Sequence, residues 1–481
     1  MSIHEPTTAE LEDAVPHVLA PAEPGTSEQF TGGRPLRRYL TTFAFSTAAI
    51  VLVYGSVGII VPNQVQLLEF GNFFTGSDAG ISLPQLTDLR TAIAEGTATA
   101  TSEQQRQLGL LRDFETARAN GAAFITMITA IVALVIGPLL GTLSDRTRTR
   151  YGRRTPYILF GGLIGAVAVG SMQFAPNLAV LAVLAGAMSL FVGMAQGAQT
   201  ATIADRVAPQ KRGTASAIAG LGSFIGGIFG TVVGAVALGF VGMGAYYVPS
   251  VLVILGSLSF VLLVKDRSSH DLVPTSSGFS GMLRGFLEPL RSRDFLWVWI
   301  ARIVMTFGYG VSVAFGIYGL QSYVQPALSQ AEATSLSPVF MLIGLPGTAV
   351  ALIVAGRWSD KIGRRKPFVV FASLLMALSF AAPLISPTIP SLFIQAVISG
   401  VAYGAYLSVD QALFMDVLPN LKNAGRDLGI AGLATNLGNA LAPMVAAQIF
   451  ALTGNYAWLW GTAAFLVVLS TFAILPVKHA R

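Results

Sequence analysis

Few side chains in this 481-residue sequence are placed to do chemistry away from water. Arg302 and Asp410 are the two ionisable residues that fall clearly inside long apolar runs. Each stands about seven residues from the end of its run, so at a helical rise of about 1.5 Å per residue both lie roughly 10 Å below the same boundary of the apolar layer. A charge at that depth costs about 2.5–3.5 kcal/mol even on lenient scales, so pairing is the expected remedy. Such a pair is either a structural tie between two helices or a site that trades a proton when the arginine moves away. Asp410 is the candidate proton carrier and Arg302 its partner. Other chemistry is bounded quickly. There is no cysteine, and the histidines, His4, His17, His270 and His479, all lie outside the apolar runs. Disulfides, thiolate zinc sites, cysteine nucleophiles and histidine sites at depth are therefore excluded, and no metal site or cofactor is expected.

Asp410 belongs to a stripe. Gln395, Ser399, Tyr403, Tyr406 and Asp410 follow one another at spacings of 4, 4, 3 and 4 residues. On a helix they share an arc of about 80°. A polar stripe on a helix surrounded by lipid must face protein or water. The run that holds Arg302 adds Thr306 and Tyr309, an earlier run carries Ser189, Gln196, Gln199 and Thr200, and the first run offers Tyr54. Trp297, Trp299, Trp358, Trp458 and Trp460 all stand near the ends of runs, where they read as interface anchors, so tyrosines are left for any stacking on a bound ring.

The elements that carry these residues follow from composition. The chain is 53% hydrophobic and only 11% charged, and its mean hydropathy is +0.65. A surface for water needs about a quarter of the residues charged, so lipid is the expected solvent. Twelve runs are long enough to span a bilayer: 41–62, 118–143, 156–175, 178–204, 213–240, 244–264, 295–323, 337–358, 367–386, 389–415, 428–451 and 456–476. If both termini are cytoplasmic, the loops on that side hold all of the 30 lysines and arginines except Arg90, Arg106, Arg112, Arg118 and Arg302. That asymmetry obeys the positive-inside rule and explains the net charge of +6 without a nucleic-acid partner. Residues 1–33 are acidic, carrying Glu5, Glu10, Glu12, Asp13, Glu23 and Glu28, and contain no apolar leader, so they read as a disordered cytoplasmic tail. Residues 34–264 and 295–476 form the expected halves, with 265–294 as a cytoplasmic linker and 477–481 as a closing tail. The outer loop 63–117 is long, with helix-like spacing from Leu86 to Arg112 broken at Thr97 to Ser102. It is either a small cap or a passive insertion, and the low cost of loop length favours the second.

Two segments repeat. The first runs Gly141, Asp145, Arg146, then Gly152, Arg153, Arg154; the second runs Gly356, Asp360, Lys361, Gly363, Arg364, Arg365. The offset is 215 residues up to the aspartate and 211 beyond it, and Asp205 is echoed by Asp416 at 211 again. Two parallel six-helix repeats are implied. Both segments resemble the signature of the major facilitator superfamily, at the loops between spans 2–3 and 8–9. The longer first copy resembles the glycoside–pentoside–hexuronide cation symporters and the sucrose transporters. The resemblance implies an all-α fold of twelve transmembrane helices around a central cavity, lined by spans 1, 4, 7 and 10. It implies that Tyr54, Gln196, Gln199, Tyr309, Tyr403 and Tyr406 contact solute. It also implies that Gly141, Asp145, Arg146, Gly152, Arg153, Gly356, Asp360, Lys361, Gly363 and Arg364 gate the cytoplasmic side, where plain topology charge and a helix cap are the alternative. In span 5, Gly222, Gly226, Gly230 and Gly234 form a bare packing face, expected to meet Gly344, Gly347 and Ala351 of span 8.

These features point to a monomeric secondary transporter in the plasma membrane, working by alternating access. Its expected partners are a small solute, a sugar or glycoside, and a proton or sodium ion. A proton-driven efflux antiporter for amphiphiles and a non-transporting membrane sensor are the alternatives. A nucleotide-driven pump is not expected, because no phosphate-binding glycine loop is present. Nor is an enzyme, because no histidine, cysteine or carboxylate cluster lies at membrane depth.

Overall fold

The computed structural model describes residues 29–266, 268–269, 288–418 and 424–477, without the side chains of 135–139, 141, 142, 145 and 424–429. The described parts are almost wholly helical. Eleven stretches are long and apolar enough to cross a membrane, and one of them, Pro209–Leu263, contains two helices, so twelve crossings are present among the described residues. They are α1 (Gly33–Phe73), α2 (Ser102–Arg146), α3 (Thr155–Ser171), α4 (Leu178–Arg206), α5 (Arg212–Val241), α6 (Tyr247–Leu263), α7 (Arg293–Val313, continued after a break by Gly316–Ser322), α8 (Gln330–Ile362), α9 (Lys366–Ser379, continued by Ala381–Ile385), α10 (Ile389–Asp416), α11 (Ala424–Thr453) and α12 (Ala457–Ile474). Two faces are named here by what they carry: the insertion face holds residues 63–117, and the signature face holds the two repeated loops.

The two halves pack alike. In the first, α1 lies on α5 and α6, α4 lies on α2 and α3, and α3 reaches α6. In the second, α7 lies on α11 and α12, α10 lies on α8 and α9, and α9 reaches α12. The halves meet chiefly where α2 touches α11 and α5 touches α8. The twelve-helix, two-repeat fold expected from the signature is the fold observed.

The glycine face of α5 departs from expectation. It is turned to α1, within its own half, not to α8. A Cβ on Gly222 would lie 2.9 Å from the Ala44 carbonyl oxygen, on Gly226 2.4 Å from that of Ala48, on Gly230 2.4 Å from that of Leu52, and on Gly234 2.8 Å from Ser56 Cα. Each step of four on α5 meets a step of four on α1, so the two helices run parallel with backbones in contact. Ser56 Oγ donates to the Gly230 carbonyl at 2.9 Å and closes the seam. Gly344 and Gly347 of α8 likewise pack on α10 of their own half, against Ala396 and Val401. Without apolar gain from leaving lipid, dispersion and close contact hold membrane helices together, and the closest contacts are spent inside each half.

Residues 63–117 form no loose loop. Helix α1 continues to Phe73, a helix spans Leu83–Ala94, and α2 begins at Ser102 behind a reciprocal cap between Thr101 and Gln104. The rings of Phe70, Phe73, Phe74 and Phe114 pack within 6.4 Å of one another, and with Leu86 and Leu111 they form a separate small core. Bidentate contact of Arg106 with Asp78, at 2.8 Å to both oxygens, ties the first turn to α2. Order also begins earlier than residue 34. The Phe30 amide donates to the Arg206 carbonyl at 2.7 Å, and the Arg206 guanidinium lies 4.8 Å over the Phe30 ring. The rest of the expected tails, and most of the 265–294 linker, lie outside the described residues.

Gly230→Ala is expected to lower the melting temperature of the purified protein, because a backbone oxygen cannot step aside for the new methyl. Overpacking of this kind costs about 1–3 kcal/mol. Gly227→Ala, on the same helix but with nothing within 4 Å of its new Cβ, is the matched control and is expected to melt as the parent does. Equal melting of both variants would show that the α1–α5 seam is looser than described.

Candidate functional site

Arg302 and Asp410 meet. Arg302 Nε donates to Asp410 Oδ2 at 2.6 Å, and Nη2 is paired with the same oxygen. Both residues are buried, at 6% and 2% exposure. Arg302 Nη1 donates to the Ala431 carbonyl on α11 at 3.3 Å, Nη2 donates to Gln411 Oε1 at 3.3 Å, and the guanidinium lies 4.0 Å over the Phe414 ring. One cation thus joins α7, α10 and α11. The Tyr406 hydroxyl is directed at the same carboxylate, yet neither it nor Asp410 Oδ1 makes a hydrogen bond of full geometry. The carboxylate is held through one oxygen and keeps the other in reserve.

Two helical turns toward the insertion face, the rings of Tyr309 and Tyr403 stack at 5.2 Å with 21° between their planes. Each tyrosine stands seven residues from the charge on its own helix, so the ring layer and the ion layer are about 10 Å apart. Tyr406 sits on α10 between the two layers. The polar stripe read from the sequence is therefore a column: stacked rings, a hydroxyl, then the ion pair.

The first half uses its matching position differently. Gln199, 211 residues before Asp410, is 2% exposed. Its Nε2 donates to the Phe43 carbonyl at 3.2 Å and to Thr47 Oγ1 at 3.1 Å, while Oε1 accepts from Ser46 Oγ at 3.1 Å. Both ends of the amide are engaged with α1. Asp410 ties α10 to α7 with charge, and Gln199 ties α4 to α1 without it. Tyr54 and Gln196 are half-buried. A Cβ on Gly193 would lie 3.7 Å from the Tyr54 hydroxyl, and Gln196 stands three residues on, about one turn along α4. Among the described residues no hydrogen bond or ring contact joins Tyr54 and Gln196 to the tyrosines of the other half.

At the signature loops the aspartates at the ends of α4 and α10 hold the arginines. Arg153 Nε donates to Asp205 Oδ2 at 3.2 Å, and its Nη2 is paired with Oδ1. Arg154 Nε donates to Asp205 Oδ2 at 3.0 Å and Nη1 to Ser144 Oγ at 3.0 Å. In the second copy Arg365 Nε contacts Asp416 Oδ2 at 2.7 Å, while Asp360, two-thirds exposed, is 3.5 Å from Arg365 Nη2. Arg154 with Asp205 and Arg365 with Asp416 are the same bond at the same offset of 211. Sequence reasoning singled out Arg153 and Arg364 and missed Arg154 and Arg365. The echo of Asp205 in Asp416 was the signal that pointed to them. Arg146, Lys361 and Arg364 are exposed. Gly141 and Asp145 fall within α2, but their side chains lie outside the described ones. Gly152 has φ +90, and a Cβ there would lie 2.2 Å from Asp266 Oδ2, so only glycine fits. Gly363 ends α8 at φ +68. Gly356 faces Ser408 at an ordinary 3.7 Å.

Removing one partner of the buried pair is expected to hurt most when it strands the acid. Arg302→Ala leaves Asp410 unpaired at depth, a cost of about 3–5 kcal/mol for such pairs. It is expected to cut the yield of folded protein sharply, and Arg302→Ala/Asp410→Ala to recover it. Size-exclusion profiles of detergent extracts read both. A double variant no better than the single would mean that the arginine serves α11 more than Asp410.

The family described as MFS/sugar transport protein matches residues 113–475. Along nearly its whole length the chain is similar to the multi-drug resistance efflux pump PmrA of Streptococcus pneumoniae, 22% identical over 86% of this chain and 96% of that one. It is similar over a shorter stretch to the sucrose transport protein SUC3 of Arabidopsis thaliana, 30% identical over 24% of this chain and 23% of that one. Its fold is similar to that of a bacterial homolog of the human lysosomal transporter Spinster, solved in an inward-facing, unoccupied conformation, with a TM-score of 0.61 at 12% identity over 93% of this chain and 96% of that one. With two matching six-helix repeats, a signature clamp in each and a match over most of its length, the chain belongs to the MFS/sugar transport protein family and is a multi-pass major facilitator transporter.

Proposed function

We propose that this chain is a proton-coupled symporter for a sugar or glycoside, with the signature face in the cytoplasm of a cell bounded by the membrane it spans. The observation that carries this reading is the column on α7 and α10. Stacked Tyr309 and Tyr403 offer flat apolar faces of the kind sugar rings lie against, and Tyr54 and Gln196 supply a ring and an amide from the other half. Tyr406 connects that layer to Asp410. A solute that shifts the tyrosines shifts the hydroxyl above the carboxylate. Movement of α7 against α10 within the second half changes the distance from Arg302 to Asp410. With the arginine close the carboxylate is held as an anion; with it withdrawn, burial favours the protonated acid. Proton binding and conformation are linked through one pair, with no further charge at that depth among the described residues.

An outward-pumping reading has its own support, the likeness to a multidrug efflux pump along 86% of the chain. The chemistry of the residues in the column supports the symport reading. A broad amphiphile pocket needs apolar lining on both halves, whereas Tyr54, Gln196, Tyr309 and Tyr403 set hydroxyls and an amide around the path.

The test uses proteoliposomes of uniform orientation and a panel of labelled mono- and disaccharides and glycosides. A pH difference of about one unit supplies about 1.4 kcal/mol per proton, enough for about tenfold accumulation. The parent protein is expected to accumulate solute toward the alkaline side. Asp410→Asn is expected to lose accumulation and keep exchange of labelled for unlabelled solute. Full accumulation by Asp410→Asn would remove this carboxylate from the coupling step. Extrusion of amphiphiles with no sugar flux in the parent would establish the efflux reading instead.

A further inference from the structure

A second buried charge cluster lies far from the Arg302 pair, on the insertion face. Arg118 of α2 is 1% exposed, and so is the side chain of Glu115 one turn earlier. Arg118 Nη1 donates to Gln66 Oε1 of α1 at 3.3 Å and to Gln321 Oε1 at 3.2 Å; Nη2 donates to Ser322 Oγ at 2.6 Å. Its guanidinium lies between two rings, 5.2 Å from the centre of Phe114 and 4.5 Å from that of Tyr318. Glu115 is 3.8 Å away and is shared with Arg90, whose Nη1 donates to Oε2 at 2.7 Å. Arg90 sits on the helix Leu83–Ala94, and its Nη2 also donates to the Ser322 carbonyl at 2.9 Å. Asp88 of the same helix accepts from the Ala327 amide at 3.2 Å.

Tyr318, Gln321 and Ser322 all lie on Gly316–Ser322, the short piece set off from the rest of α7 by a break at Ala314 and Phe315. A break in a helix ladder lets the piece beyond it turn without dragging the whole helix. The insertion therefore grips the piece of α7 that lies beyond this break.

We propose that Arg118 and Arg90, set on Glu115, are a latch that holds the insertion face shut, and that gating this face is the function of residues 74–101 and the extended ends of α1 and α2. The latch closes all or none. If Gly316–Ser322 moves away, Arg118 loses Gln321, Ser322 and the Tyr318 ring together. A partial movement strips these contacts from the guanidinium before water replaces them, leaving only Gln66 and the 3.8 Å contact with Glu115, a costly arrangement. The closed form is not saturated either. Gln321 Nε2, Arg118 Nε and the Tyr456 hydroxyl are buried without a hydrogen bond of full geometry, and water would meet all of them on opening. Closed and open are thus two discrete states, the closed one favoured at rest, as alternating access allows. This inference rests on membership of the transporter family and not on the solute or the coupling ion.

The chain has no cysteine, so one introduced pair is unique. Ala179→Cys and Ile385→Cys stand at the insertion-face ends of α4 and α9, exposed and away from the latch. Spin labels on them report the separation of the halves by pulsed electron resonance in lipid nanodiscs, with no solute needed. The parent is expected to give one dominant short distance. Glu115→Gln is expected to move most of the population to a longer distance, and Arg90→Ala, at a side chain 35% exposed and tolerant of change, to move a smaller share the same way. Arg106→Ala breaks only contacts within the insertion and is expected to leave the distribution unchanged. If Glu115→Gln does not fold, Arg90→Ala and Ser322→Ala decide. An unchanged distance in folded Arg90→Ala and Ser322→Ala overturns the latch, and so does an equal shift in Arg106→Ala.

Discussion

An ionised side chain taken out of water must find its counter-charge inside the protein, and that requirement shapes this structure more than any other. Arg302 can stand at depth only because Asp410 reaches it from α10 and a carbonyl of α11 accepts what the carboxylate leaves over. Arg118 can stand buried on the insertion face only because Glu115, two amide oxygens and two rings surround it. One cluster joins helices inside the second half; the other joins the two halves. Both are placed where a relative movement of helices changes whether the charge is paired. Under the proposals above charge pairing is a switch as well as a support: Asp410 without its arginine takes a proton, and Arg118 without its partners meets water.

Backbone contact supplies the complementary rigidity. The α1–α5 seam brings a glycine against a carbonyl at every turn from Gly222 to Gly234, and α8 repeats the device on α10 through Gly344, Gly400 and Gly404. Such seams cannot slide by less than a turn. They stiffen the α1–α5 and α8–α10 pairs, so motion is left to the looser contacts, α2 with α11 and α5 with α8 between the halves and α7 with α10 inside the second. The signature clamps belong to the same logic. Arg154 with Asp205 and Arg365 with Asp416 lock a loop to a helix end within a half, and so they position the signature face without joining the halves to each other.

The repeat keeps the packing order of the helices and is free in chemistry. At the offset of 211 the clamp is conserved in kind, arginine to aspartate in both halves. At the same offset Gln199 and Asp410 do one mechanical job with different groups, an amide on α1 and a carboxylate on α7. Placing the only charge of that pair in the second half makes the two halves unequal. A carrier that moves an ion with its solute needs that inequality, since two identical halves would have no single place to put a proton.

Length, charge and periodicity by themselves determined the solvent, the twelve crossings and the parallel repeat, because a helix in lipid must be apolar for about 20 residues and must keep its basic loops on one side. They also brought Arg302 and Asp410 together before any coordinates, since two opposite charges at one depth have no cheaper course. Other features waited for the tertiary structure. Hydropathy ended the first span at 62 and opened the second at 118, so Glu115 was read as loop and Arg118 as loop charge. Arg118 is enclosed by Gln321 and Ser322, 203 and 204 positions away in the chain, and local composition holds no trace of such partners. The partner of the α5 glycines was also beyond reach. Small residues announce that two backbones meet, but which two depends on how six helices are arranged, and α1 and α8 offered equally bare faces. Gln199 was expected to contact solute; its three hydrogen bonds to α1, which form only when the half is assembled, were not legible in the sequence.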